Sequence, residues 1–199
     1  MPEPDRRSRR ALAERIVDAA IGLAEARGWD NVRLHQVADE LGVSLAEVAA
    51  SFRDIDAVAN AWFERARRHL VELPAAELDG RPPPERLERA VMRWLDALAP
   101  HRKVTGEMLG EKLYASHPHH WVPMIFDLSR LIHWFLDVAR IESTGRRRQL
   151  AEIGMTLIFV ATLRVWLADQ SEGQARTREF LTRRLATADR LLVWMGPPG

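Results

Sequence analysis

Apolar residues recur at three- and four-residue steps through nearly the whole chain, and no convincing period-2 stretch interrupts them. The pattern predicts an all-α protein of about nine helices. The first covers about residues 10–27, with Leu12, Ile16, Ala19, Ala20 and Leu23 on one face and Gly28 as its stop. Two short helices follow over about 33–40 and 45–52, joined by Gly42-Val43-Ser44. The second opens on a capping box, Ser44 with Glu47 three residues on. Asp54 caps a longer helix that reaches about Val71. Pro74 and the run Gly80-Arg-Pro-Pro-Pro84 then break the pattern. Helices over about 84–98 and 104–115 precede a further break at SHPHHWVP, residues 116–123. The last three helices cover about 124–141, 147–169 and 173–194, the final one opening on Ser171 and Gln174 as a second capping box.

The helix over 147–169 is apolar almost all round, and such a helix must be covered on most sides. Pairing it and the last helix with their copies in a second subunit gives a two-fold four-helix interface. That predicts a homodimer held by Ile158, Val165, Phe180, Leu181, Leu185 and Leu192. The alternative is a central helix buried within a monomer. The apolar run from Ile153 to Leu167 is interrupted by Arg164 and is shorter than the roughly 20 residues of a membrane span, so no span is expected.

The chain has 199 residues, 47% of them hydrophobic, with 29 Lys+Arg against 28 Asp+Glu and no Cys. Near-neutral charge does not by itself point to a polyanion. The absence of Cys excludes a disulfide framework and thiolate chemistry. The start MPEPDRRSRR is charged and lacks an apolar stretch, so no signal peptide is expected and a cytoplasmic protein is.

The order of a basic N-terminal segment, three short helices with VADELGVS at the turn, then Ser51-Phe52 and a capped fourth helix resembles the TetR family of bacterial regulators. By motif the likeness covers residues 10–60; beyond that it rests on helix order. The resemblance implies a DNA-binding domain over residues 1–55 and a ligand-binding and dimerisation domain over 56–199. It implies a homodimer whose third helices enter successive major grooves and whose body takes a small effector, so that the protein is a transcriptional regulator, expected to be a repressor.

The family's usual run after Gly-Val-Ser is Lys-Gly-Thr-Leu-Tyr, with a Lys at the start of the fourth helix. This chain keeps the packing residues Val43, Val48 and Phe52 but places Leu45, Ala49 and Ile55 where the two Lys and the Tyr would stand. Residues 1–70 hold 11 Arg and no Lys against 12 acids, whereas a DNA-reading module is normally basic. DNA contact therefore falls to Arg6, Arg7, Arg9 and Arg10 of the N-terminal arm, to Arg33 and Arg53, and to Ser44, Leu45, Ala46, Glu47, Ala49, Ala50 and Ser51 around the third helix. Glu47 has two readings, a partner of Ser44 in the cap or an acceptor for cytosine N4.

A second stretch, VWLADQSEGQARTREFLTRRL over residues 165–185, resembles the ubiquinone-biosynthesis auxiliary family. That family shares the fold but carries a degenerate helix-turn-helix and an apolar lipid site. It supplies the alternative reading, a lipid- or quinone-binding protein that does not bind DNA.

Tyr114, Trp121, Met124, Phe126, Trp134, Phe135 and Phe159 supply large apolar walls, either core or the lining of an effector pocket. Glu107, Glu111, His133 and Arg164 are candidate polar anchors for an apolar small molecule. His117, His119 and His120 cluster on a Pro-interrupted stretch without a nearby carboxylate, so no metal site is expected. There is no phosphate loop and no nucleophile motif, so neither a cofactor nor an enzymatic activity is expected.

Overall fold

The computed structural model describes residues 3–112 and 118–194. Among them every regular element is helical. The helices are α1 (Glu3–Arg27), α2 (Leu34–Leu41), α3 (Leu45–Ser51), α4 (Ile55–Val71), α5 (Pro83–Leu98), α6 (Arg102–Lys112), α7 (Pro118–Val138), α8 (Gly145–Leu167) and α9 (Ala175–Trp194). Short 3-10 turns precede α2, α5, α6 and α9. The all-helical class and the helix order follow the periodicity of the sequence.

Two boundaries differ from expectation. The basic N-terminal segment is helical from Glu3, not an extended arm. It has no Gly or β-branched residue, and its Pro4 lies in the first turn, where a missing N–H is harmless. Residues 118–123 likewise form the start of α7, because Pro118 occupies the first helical position rather than an interior one.

The chain divides into two compact units, residues 1–66 with 98–116, and residues 67–97 with 117–199. In the first, α1 supplies Ile16, Ala20 and Ala24, each fully buried, and Trp29, Val37, Val48, Val58, Trp62, Val104 and Met108 complete the core. The buried Thr105 hydroxyl and the Trp62 indole are paired. The Trp62 indole N–H donates to Thr105 Oγ1 at 3.0 Å, and that hydroxyl donates to the His101 carbonyl at 2.9 Å. The Trp29 amide donates to Glu107 Oε2 at 2.8 Å. Arg65 of α4 donates to Glu14 Oε2 at 2.7 Å and to Asp18 Oδ1 at 2.6 Å, tying α4 to α1.

In the second unit Trp94, Phe135 and Phe159 form an aromatic cluster with ring centroids 5.2–6.4 Å apart. Met155, Trp166, Leu181 and Leu185 are buried beside α7, α8 and α9. The turn between α8 and α9 is a polar knot. Asp169, 1% exposed, accepts from Ser171 N and Oγ at 2.9 and 2.5 Å and from Thr177 N and Oγ1 at 2.9 and 2.6 Å. Despite burial, those four donors hold its carboxyl well below the ordinary carboxylate range. The expected Ser171–Gln174 capping box does not form. Gln174 instead accepts from the Trp166 indole and donates to Asp96 Oδ1 at 2.5 Å, while Ser171 Oγ accepts the Arg176 amide. Arg178 adds contacts to Asp96 and Glu88.

Candidate nucleic-acid interface

The turn between α2 and α3 is built from local rules. Gly42 ends α2 in the left-handed region at φ 64°, ψ 33°, a conformation that strains residues bearing a Cβ. Its amide bonds Asp39 O and the next amide bonds Ala38 O, at 3.2 and 3.1 Å, which satisfies the last carbonyls of α2. Ser44 then caps α3. Its hydroxyl accepts the Glu47 amide at 3.2 Å, and Glu47 Oε2 accepts the Ser44 amide at 2.9 Å and its hydroxyl at 2.7 Å. Those bonds hold the Glu47 carboxyl below its ordinary value, the hydroxyl contributing most. Of the two readings of Glu47, the structure shows the cap.

Val48 is fully buried and Phe52 nearly so, which fixes the rotation of α3. Leu45, Ala46, Ala49 and Ala50 are exposed and Ser51 is half-buried. Asp54 accepts the Ala57 amide at 2.7 Å and so caps α4. Arg53 is well exposed and pairs with Asp54 at 2.9 Å. Arg33 donates to the Asp30 and Val32 carbonyls at 2.7 and 2.9 Å, so much of its donor capacity serves the start of α2. Arg7, Arg9 and Arg10 are exposed along α1; the side chain of Arg6 lies outside the described residues.

The described candidate effector residues fall in both units. Glu107 belongs to the first unit and accepts the Trp29 amide; Glu111 is exposed there. In the second unit Phe135 and Phe159 are buried against Trp94. Trp134 is half-exposed, with the Arg67 guanidinium 5.0 Å from its ring. His133 Nε2 lies 3.2 Å from Glu152 Oε1, and Arg148 Nε donates to the same oxygen at 2.6 Å. Arg148 above all, helped by His133, lowers the Glu152 carboxyl. Arg164 is exposed on α8. Tyr114, and the side chains of Trp121, Met124 and Phe126, lie outside the described residues, as do those of His117, His119 and His120. Among the described residues no group of three His, Cys, Asp or Glu is placed to hold a metal ion.

The interface candidates also divide. Leu181 and Leu185 are buried within the single chain, while Ile158, Val165 and Phe180 are half-buried; Leu192 lies outside the described side chains. Among the described residues of α8, Leu150, Ile153, Leu157, Val160 and Leu167 are left uncovered, as is Leu191 on α9. Those on α8 recur at steps of three, four and seven residues and so mark one helix face, a signal present in the sequence but masked by the all-round apolarity of that helix. Counted from Gly145 rather than Ile153, α8 is long and apolar enough to cross a membrane by length and composition alone. Its buried side, Met155, Phe159, Thr162 and Trp166, packs inside its own unit.

A capped helix-turn-helix in an all-helical chain defines the class of helix-turn-helix proteins, and comparison with known proteins narrows it. A TetR transcriptional regulator from Nitrosomonas europaea superposes with a TM-score of 0.81 at 36% identity, over 90% of this chain and 99% of that one. A TetR transcriptional regulator from a Rhodococcus species shares the fold with a TM-score of 0.66 at 18% identity, over 92% and 97%. The TetR family transcriptional regulator PfmR from Thermus thermophilus does so at 0.58 and 16%, over 86% and 97%. The COQ9 family model matches residues 153–192, within α8 and α9. Among curated proteins no significant match is found. On the extent and identity of the first of these likenesses, the chain belongs to the TetR family of transcriptional regulators.

Proposed function

We propose that this chain is a DNA-binding repressor that works as a homodimer and responds to an apolar small molecule. Residues 1–55 are the DNA-binding domain and residues 56–199 the dimerisation and effector body. The observation that carries the reading is the rotation of α3. Burial of Val48 and the Ser44–Glu47 cap present Leu45, Ala46, Ala49 and Ala50 outward, where a recognition helix meets a major groove. Family membership supplies the rest of the DNA reading. Exposed Arg53 and, on α1, Arg7, Arg9 and Arg10 are the phosphate contacts.

The exposed stripe on α8 supports the dimer. Leu150, Ile153, Leu157, Val160 and Leu167 present apolar surface at the spacing of a helix–helix seam. The effector limb rests on family membership and on the aromatic side chains of α7 and α8. Its polar anchors are His133 and Glu152, which meet at 3.2 Å.

Fluorescence anisotropy of the full chain tests the reading, using labelled duplexes that tile the DNA upstream of its own coding sequence. Binding of one duplex above the rest, weakening between about 50 and 200 mM salt, supports it. No binding to any duplex at low salt overturns it, and a lipid mass retained by the purified protein in native mass spectrometry would then favour the lipid-binding alternative.

A further inference from the structure

Granting that reading, we infer that α3 recognises its operator through thymine methyl groups. On a helix of 3.6 residues per turn, Ala46 and Ala50 stand opposite the buried Val48. Leu45, which is 50% exposed, and Ala49 flank them on one side. These four side chains form a continuous face that carries carbon alone. On the other flank the Glu47 carboxylate is drawn back to Ser44 by two hydrogen bonds. Arg53, beyond the end of α3, is held toward Asp54.

A major groove shows hydrogen-bonding groups on every base pair and one apolar feature, the C5-methyl of thymine. A face without donors or acceptors has nothing to offer guanine N7 and O6, cytosine N4 or adenine N6. It gains from a methyl group placed against it, since apolar contact removes both surfaces from water. The short Ala side chains also let the backbone of α3 approach the base edges more closely than Tyr or Lys would. The inference therefore assigns specificity to the outward pair Ala46 and Ala50, with Leu45 reaching furthest.

The test uses the full chain and duplexes enriched by it from a random pool. Each thymine facing α3 is replaced by deoxyuridine, which removes the methyl and leaves pairing intact. One methyl lost from contact lowers affinity about fourfold, so replacing a symmetric pair, one per half-site, lowers it on the order of fifteenfold. In parallel the A46Q/A50Q variant is taken through the same enrichment. It is expected to lose the deoxyuridine penalty at those positions, because its amides can pair with adenine N6 and N7 instead of contacting a methyl group. Equal affinity for thymine and deoxyuridine duplexes, or a variant that keeps the same thymines with the same penalty, overturns methyl reading while leaving DNA binding intact. A wild type that enriches no sequence overturns both the methyl reading and the proposed function.

Discussion

Replacing Asp169 by Ala tests whether the knot between α8 and α9 holds the second unit together. The buried carboxylate accepts four hydrogen bonds, two from Ser171 and two from Thr177, all at 2.5–2.9 Å. A hydrogen bond to a charged group contributes about 1.5–3 kcal/mol. The four are not additive, because water admitted to the site satisfies part of what is lost. The Thr177 amide at the start of α9 nevertheless loses a buried partner. About 4 kcal/mol of destabilisation follows, near the cost of breaking a buried ionic group from its partners. For a chain of this size that is a fall in melting temperature of roughly 8–16 °C.

Urea titration at fixed protein concentration measures the loss. Thr177→Val removes one bond and keeps the shape, so it should cost about 2 kcal/mol, and the double variant should cost less than the sum because both remove the same contact. The pH dependence has a defined sign. The folded carboxyl titrates below its unfolded value of about 3.9, so its stabilisation is present above that pH and is lost as pH falls below it. Wild type should therefore lose stability relative to Asp169→Asn between roughly pH 5 and pH 2. A loss below about 1 kcal/mol for Asp169→Ala, with parallel acid titrations, would refute the reasoning.

Other consequences are more local. Leu157→Glu, at the most exposed point of the α8 stripe, should turn a sedimenting dimer into a folded monomer, whereas Leu185→Glu, buried in the chain, should unfold it. Gly42→Ala should cost about 1 kcal/mol by chemical denaturation, since the residue sits at positive φ with open space around it. Arg53→Ala should weaken binding in anisotropy to all DNA sequences alike, because a phosphate contact positions without specifying.

The head was legible in the sequence because its rules are local. A left-handed glycine, a serine cap with its glutamate and a buried valine next to that glutamate need no distant partner. The knot at Asp169 was not. Ser171 and Gln174 have the spacing of a capping box, yet Gln174 turns to Trp166 and to Asp96, 78 residues away. Glu107 looked like a pocket anchor for the same reason; its partner is the Trp29 amide, remote in sequence. Apolar periodicity identified α8 as a helix but not which face stays exposed, since that depends on what α7 and α9 cover. The helical N-terminal segment was less legible because clustered arginines read as a solvated arm, although the run holds no Gly or β-branched residue to stop α1.

The most direct test of DNA recognition by this head is equilibrium binding of the full chain to its pool-enriched duplex across a salt series. Few cations surround α3, so the logarithm of affinity should fall with the logarithm of salt at a shallow slope, on the order of three to five phosphate contacts per subunit. The enriched duplex should also keep a preference over scrambled DNA at every salt concentration. Binding that ignores sequence and vanishes with a steep slope, or no binding at the lowest salt, would contradict the account.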